Sequence, residues 1–156
     1  MRKVGVLIFS ILVCFLAAGV GSAFTAPAIP TWYTTLNKPF FSPPSWLFAP
    51  VWTILYFLMG VSLYLIWNTK ENNKDKKKSY LFFATQLTLN TLWSIIFFGL
   101  KNPTLAFVEI IFLWIAIFVT IKSFLKINKR AGQLLFPYLA WVSFATLLNL
   151  AVALLN

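Results

Sequence analysis

Among its 156 residues the sequence has no histidine, one cysteine, two methionines and three acidic residues, and each shortage removes a kind of chemistry. Without histidine, the chain lacks the most versatile general base and the usual ligand of zinc and of haem iron, so a metal centre is not expected. Cys14 has no second cysteine to pair with, and inside an apolar run its thiol behaves as a small hydrophobe. An ordinary hydrolase is also excluded, because no acid and no histidine stand beside any serine. Charge is scarce too: 10% of residues are charged and 60% are hydrophobic, which is too apolar for a soluble globule. Soluble α/β enzymes, collagen-like chains and disordered tails fall away together.

What charge there is lies in blocks. The formal net charge of +10 would suggest nucleic acid in a soluble protein. Here the cations fall mainly in two short segments between apolar runs, residues 70–78 and 122–130. Such blocks set the orientation of a membrane protein, and nucleic-acid binding is not expected. Five stretches are long enough to cross a bilayer as helices: residues 4–24, 46–67, 79–100, 104–121 and 131–155. The fold class expected is therefore an all-α, five-helix membrane bundle forming a single domain over residues 1–156, with no room for a separate soluble domain. The first stretch is too long for the hydrophobic region of a signal peptide and reads as a retained span. Its small residues include Ala17 with Gly21 and Gly19 with Ala23, four apart, the spacing that lets helices approach closely within a bundle or between subunits.

Arg2, Lys3, the lysines at 70, 74, 76, 77 and 78, Lys122, Lys126, Lys129 and Arg130 fall on one side of such a bundle, and only Lys38 and Lys101 on the other. The positive-inside rule then places the N-terminus in the cytoplasm and the C-terminus outside, taking the membrane to be the plasma membrane. The outer segment 25–45 carries Pro27, Pro30, Pro39, Pro43 and Pro44, together with Trp32, Tyr33, Phe40 and Phe41. A loop of that length and aromatic content is expected to be an ordered lid over the bundle, although any one of its rings could equally sit in the headgroup belt.

Polar groups inside a bilayer need partners. In the third span Gln86, Asn90, Trp93 and Phe97 share one helical face, which is expected to point inward, either to bond neighbouring helices or to meet a ligand. The second span aligns Trp52, Tyr56, Met59 or Gly60, and Leu63, and the fifth aligns Tyr138, Trp141, Ala145 and Asn149. Pro137 is expected to interrupt the fifth helix with a kink. In the fourth, Phe107, Ile111, Trp114 and Phe118 align, and Glu109 reads as an interfacial, solvated carboxylate. One aromatic stripe alone means little. Three that carry amide or indole donors, under an aromatic lid, point to a pocket for a flat apolar ring.

Three runs then carry a resemblance: WYTTLNKPFFSPPSWLFAPVWTILY at 32–56, QLTLNTLWSIIFFG at 86–99 and PYLAWVSFATLLN at 137–149. Together they resemble the tryptophan-rich sensory protein and translocator protein family (TspO/MBR), also called the peripheral-type benzodiazepine receptors. The resemblance implies a five-helix membrane bundle, usually a homodimer, whose pocket binds protoporphyrin IX and drug-like aromatic ligands, in tetrapyrrole transport or stress sensing. It implies that Trp52 and Trp141 donate hydrogen bonds to a ligand, and that Trp32, Tyr33, Asn90, Trp93, Phe97 and Ala145 line the pocket. Porphyrin enters as ligand, with no cofactor required, and the absence of histidine favours a metal-free ring. Lys38 either pairs with a propionate or stays solvated. Two departures stand out: Leu148-Asn149 is not followed by the Tyr and basic residue of the sterol-recognition pattern, so sterol binding is not expected to carry over, and Phe40-Phe41 replaces a Ser-Trp common in relatives. The alternative functions are light-dependent porphyrin degradation, with Trp52 or Trp141 as the photochemical residues, and a membrane scaffold. No inverted repeats or broken-helix pairs support a pump.

Overall fold

A computed structural model describes residues 2–70 and 72–156. Within a bilayer every backbone N–H and C=O has to be satisfied by the chain itself, and the described residues meet this with helices. In chain order these are α1 (Arg2–Ala28), α2 (Phe48–Asn68), α3 (Asn73–Ser94), α4 (Pro103–Ile127), the short α5 (Lys129–Gln133) and α6 (Phe136–Leu155). Five of the helical stretches are long and apolar enough to cross a membrane, α5 and α6 together forming the last. The chain is thus a five-helix membrane bundle.

The connections are short because asparagines end and begin the helices. Asn72 accepts from Lys74 N to cap α3, Asn102 accepts from Leu105 N to cap α4 with Pro103 in its first turn, and Asn128 accepts from Ala131 N to cap α5. At that same end of the bundle, Ser62 of α2 donates to the Ala131 carbonyl at 2.7 Å and Asn128 Nδ2 donates to Thr69 Oγ1 at 3.1 Å. The end carrying the lysine blocks is therefore tied together through side chains.

Three expectations about the backbone are corrected. The segment 25–45 is not a loop throughout: α1 runs through Pro27 and passes into a π-helical turn at Ile29–Tyr33 that contains Pro30. Widening a helix by one residue per turn accommodates the ring and missing N–H of a proline, and Thr31 Oγ1 bonds the Pro27 carbonyl at 2.7 Å. The extended part of the lid begins only near Leu36. Second, Pro137 does not kink a continuous helix. The chain leaves α5, turns at Leu134 and Leu135, and restarts as α6 with Pro137 in the first turn, where its missing N–H is harmless. Third, Glu109 is not solvated. It is 7% exposed, because Ala106, Glu109, Ile110, Leu113 and Ile117 form the inward face of α4, and neither carboxylate oxygen has a partner among the described residues.

The core is in two parts. One runs through the middle of the bundle around Met59, Ile66, Phe83, Leu113, Phe124 and Val142, and the other, around Tyr33, Phe97, Phe98 and Val152, lies beneath the lid. Small residues set how closely α1 approaches its neighbours. Gly21 of α1 is buried against α3, where an added Cβ would lie 3.2 Å from Ser94 Oγ. At Gly60 of α2 a Cβ would lie 2.7 Å from the Cα of Ile11, backbone against backbone. A Cβ on Gly19 meets nothing within 4 Å. Gly60→Ala should therefore destabilise the bundle by about 1–3 kcal/mol despite better helix propensity, whereas Gly19→Ala should be neutral or stabilise it by up to about 1 kcal/mol. Thermal unfolding of the two variants in detergent checks this contrast.

Candidate ligand-binding cavity

Beneath the lid the helices do not close completely. They leave a cavity of about 450 Å³, bounded by α1, α2, α3 with its terminal π turn at Ile95–Gly99, and α6. That volume lies in the range of small-molecule sites. The fourth helix contributes nothing to its wall: Trp114 stacks on Phe118 with its indole N–H bonded to Ser143 Oγ at 2.8 Å, outside the cavity.

Eight of the residues expected to bind ligand lie on the wall: Tyr33, Trp52, Tyr56, Asn90, Trp93, Phe97, Trp141 and Ala145. The remaining four do not. Trp32 instead packs edge-on to Phe97 at 5.6 Å and Phe98 at 6.4 Å, so it backs the wall from the lid side. Lys38 turns back on its own loop, donating to the carbonyls of Tyr33 at 2.8 Å and Leu36 at 3.2 Å, with its ammonium 4.7 Å from the centre of the Tyr33 ring. Gln86 is fully buried deeper in the bundle, its Nε2 against Met59 Sδ at 3.8 Å. Tyr138 is buried behind the wall, where it accepts from Asn90 Nδ2 at 2.6 Å. These four are corrected from pocket residues to packing or supporting ones. For Gln86 and Tyr138 the reason is that helical spacing tells which face is inward but not how deep along that face the cavity lies; for Trp32 and Lys38 it is that contacts within and beneath the lid take up the side chain.

Sequence reasoning also missed part of the wall. Phe15, Ala18, Gly19, Ser22, Thr25 and Ala26 of α1 line it, although α1 carries no aromatic stripe to announce the fact. Apart from Phe15 these residues are small, a property that from sequence alone signals close helix packing as readily as a cavity wall. Phe98 joins Phe97 because the π turn rotates consecutive residues of α3 onto the same side. The result is a continuous aromatic roof: Trp93 stacks on Phe97 at 5.1 Å, and Phe97 meets Phe98 at 4.8 Å and Tyr33 at 6.4 Å.

Several polar groups at the wall are committed to neighbouring helices or, as Thr25 and Thr53 are, to carbonyls of their own. Tyr56 Oη donates to Asn90 Oδ1 at 2.7 Å, extending the Asn90–Tyr138 bond into a chain that joins α2, α3 and α6. Trp93 Nε1 donates to Asn149 Oδ1 at 3.0 Å, and Asn149 Nδ2 donates to the Pro103 carbonyl at 2.8 Å. Trp141 is different. Its side chain lines the cavity, and its indole nitrogen is buried with no hydrogen-bond partner among the described residues. A buried donor left unpaired costs about 1–3 kcal/mol, so a group that accepts from it inside the cavity would bind with that advantage. Among the described residues no charged side chain stands on the wall, so the site suits an apolar ring with a hydrogen-bond acceptor.

The Tyr56–Asn90–Tyr138 chain serves the fold. Asn90→Leu should remove both bonds, strand two phenol hydroxyls and destabilise the protein by about 1–3 kcal/mol, read as a lower unfolding midpoint in detergent.

The geometry can be set beside known proteins. Residues 10–155 match the model of the TspO/MBR family. The tryptophan-rich protein TspO of Archaeoglobus fulgidus is 49% identical over 150 residues, covering 96% of both chains, and that of Chlorobaculum tepidum is 41% identical, covering 99% of this chain and 98% of its own. The human translocator protein is 37% identical over 134 residues, covering 85% of this chain and 79% of its own. A match that spans all five membrane-crossing stretches at these identities leads to one conclusion: the chain is a multi-pass membrane protein and belongs to the TspO/MBR family of tryptophan-rich sensory and translocator proteins.

Proposed function

We propose that the cavity binds protoporphyrin IX and related flat aromatic molecules, and that the protein acts as a receptor or carrier for them in tetrapyrrole transport or stress sensing. The observation that carries this reading is the unpaired indole N–H of Trp141 on the wall of an aromatic cavity. Trp52 faces the same space, its ring 5.7 Å from that of Tyr56. Aromatic walls favour a flat π system through offset and edge contacts, and a ring nitrogen or carboxylate supplies the acceptor that Trp141 lacks. With no cation on the wall and Lys38 turned to its own loop, the carboxylates of such a ligand belong at the mouth of the cavity, where water or headgroups solvate them. No cofactor enters this reading, and the assembly proposed is a homodimer.

A titration of tryptophan fluorescence with protoporphyrin IX in nanodiscs tests it. Saturable quenching is expected, and Trp141→Phe should weaken it about tenfold, the equivalent of about 1.4 kcal/mol. Because that variant deletes an unpaired donor, its unfolding midpoint should stay level or rise. Equal affinity in wild type and variant overturns the role given to Trp141, and quenching that never saturates overturns the ligand class.

The distribution of lysines further supports a plasma-membrane orientation with the N-terminus in the cytoplasm and the C-terminus outside. A reporter fused after Asn156 should be active only in its extracytoplasmic form, and the reverse result would invert the topology.

A further inference from the structure

The cavity has two bounding surfaces that differ in kind. Toward the lid it is closed by rings and pinned from outside. Phe97, Phe98 and Tyr33 form the roof, and above them the lid is tied to the end of α6. There the Asn156 side chain mimics a backbone partner: its Oδ1 accepts from Asn37 N at 3.0 Å and its Nδ2 donates to the Asn37 carbonyl at 2.9 Å. The Lys38 ammonium folds the next residue down onto Tyr33.

Between α1 and α2 the boundary is thin. These antiparallel helices are pressed together at Ile11 and Gly60, where no side chain fits between them. Eleven residues further along each, about 16 Å at the rise of an α-helix, stand Ser22 and Ala49, on the lid side of the contact. In this region the cavity wall includes Gly19, Ser22 and Ala26 of α1 and Ala49 and Thr53 of α2, and all five are exposed as well as lining the cavity. These five side chains are no larger than threonine, while Phe15, Phe48 and Trp52 line the cavity beside them. Both helices are apolar spans at this level, so what meets the outer side of this seam is the acyl region of the bilayer.

We propose that ligands enter and leave through this seam, by lateral exchange with the leaflet that carries the lid, and not past the lid itself. The ligands admitted are then rings that dissolve in the acyl layer and reach the cavity without crossing water. Gly19 and Thr53 are the residues that hold the portal open. A Cβ added at Gly19 meets no neighbouring element within 4 Å, so a substitution there has open space beside it.

Thiol labelling in nanodiscs separates the two routes. Ala145→Cys places a thiol on the cavity wall, with Cys14→Ala to remove the native one. An alkyl maleimide that partitions into lipid should label it at least about tenfold faster than a sulfonated, membrane-impermeant maleimide. Gly19→Leu with Thr53→Leu should slow the alkyl reagent by at least about tenfold, while Asn156→Ala should change its rate by less than about twofold. Thr53→Leu alone serves if the double variant is not monodisperse, with a smaller slowing expected. The proposal is overturned if the impermeant reagent labels as fast as the alkyl one, or if Asn156→Ala accelerates labelling and the leucines do not slow it. The inference rests on reading the cavity as a binding site, yet the labelling uses no porphyrin. Failure of porphyrin titration therefore removes the ligand class, while the labelling rates alone decide the route.

Discussion

In hydrocarbon, a polar group without a partner has no water to fall back on, and most of this structure can be read as the chain answering that constraint. Asparagines cap α3, α4 and α5. Serine and threonine hydroxyls return to carbonyls of their own helices, as Thr31 does at the widened end of α1. Asn90 and Asn149 each bridge two elements. Against that background an indole nitrogen with nothing to donate to is informative, because the same packing that satisfies Trp93 and Trp114 leaves the Trp141 indole nitrogen buried and without a partner among the described residues.

The aromatic residues divide along the same line. Phe83 and Phe124 stack within the core, and Trp114 and Phe118 stack on α4 away from the cavity. Phe48, Trp52 and Tyr56 of α2, Trp93, Phe97 and Phe98 at the end of α3 and Trp141 of α6 instead surround the cavity, with the lid adding Tyr33 from above.

Much of the fold was legible from apolar length alone. Five spans stand where five runs of about 20 residues were found, and the stripes on spans two, three and five do converge on one space. Other features were beyond that kind of reading. Proline in segment 25–45 argued for a loop, and the helix accommodates it by a π turn, a backbone adjustment with no signature in residue type. Glu109 looked solvated from its distance to a helix end, but its place on the 3–4 repeat of buried α4 residues outweighed that distance. Gln86 and Tyr138 share faces with true wall residues and differ only in depth. The small residues of α1 were noticed for the right property and given half of its meaning: Gly21 packs against Ser94, while Gly19 borders open space.

The two ends of the bundle are held by different means. At the lysine-rich end, Ser62, Thr69, Asn128 and Ala131 interlock three elements through bonds sealed among helices. At the other end, the strap between α1 and α2 rests on one exposed carboxamide pair, a folded lysine and ring contacts. Local opening draws on the weakest cooperative unit, so thermal motion in this molecule is distributed along the membrane normal, with a stiff base and a compliant crown. The chamber sits at the opposite end from that base, so a change in its outline leaves the foundation of the bundle in place.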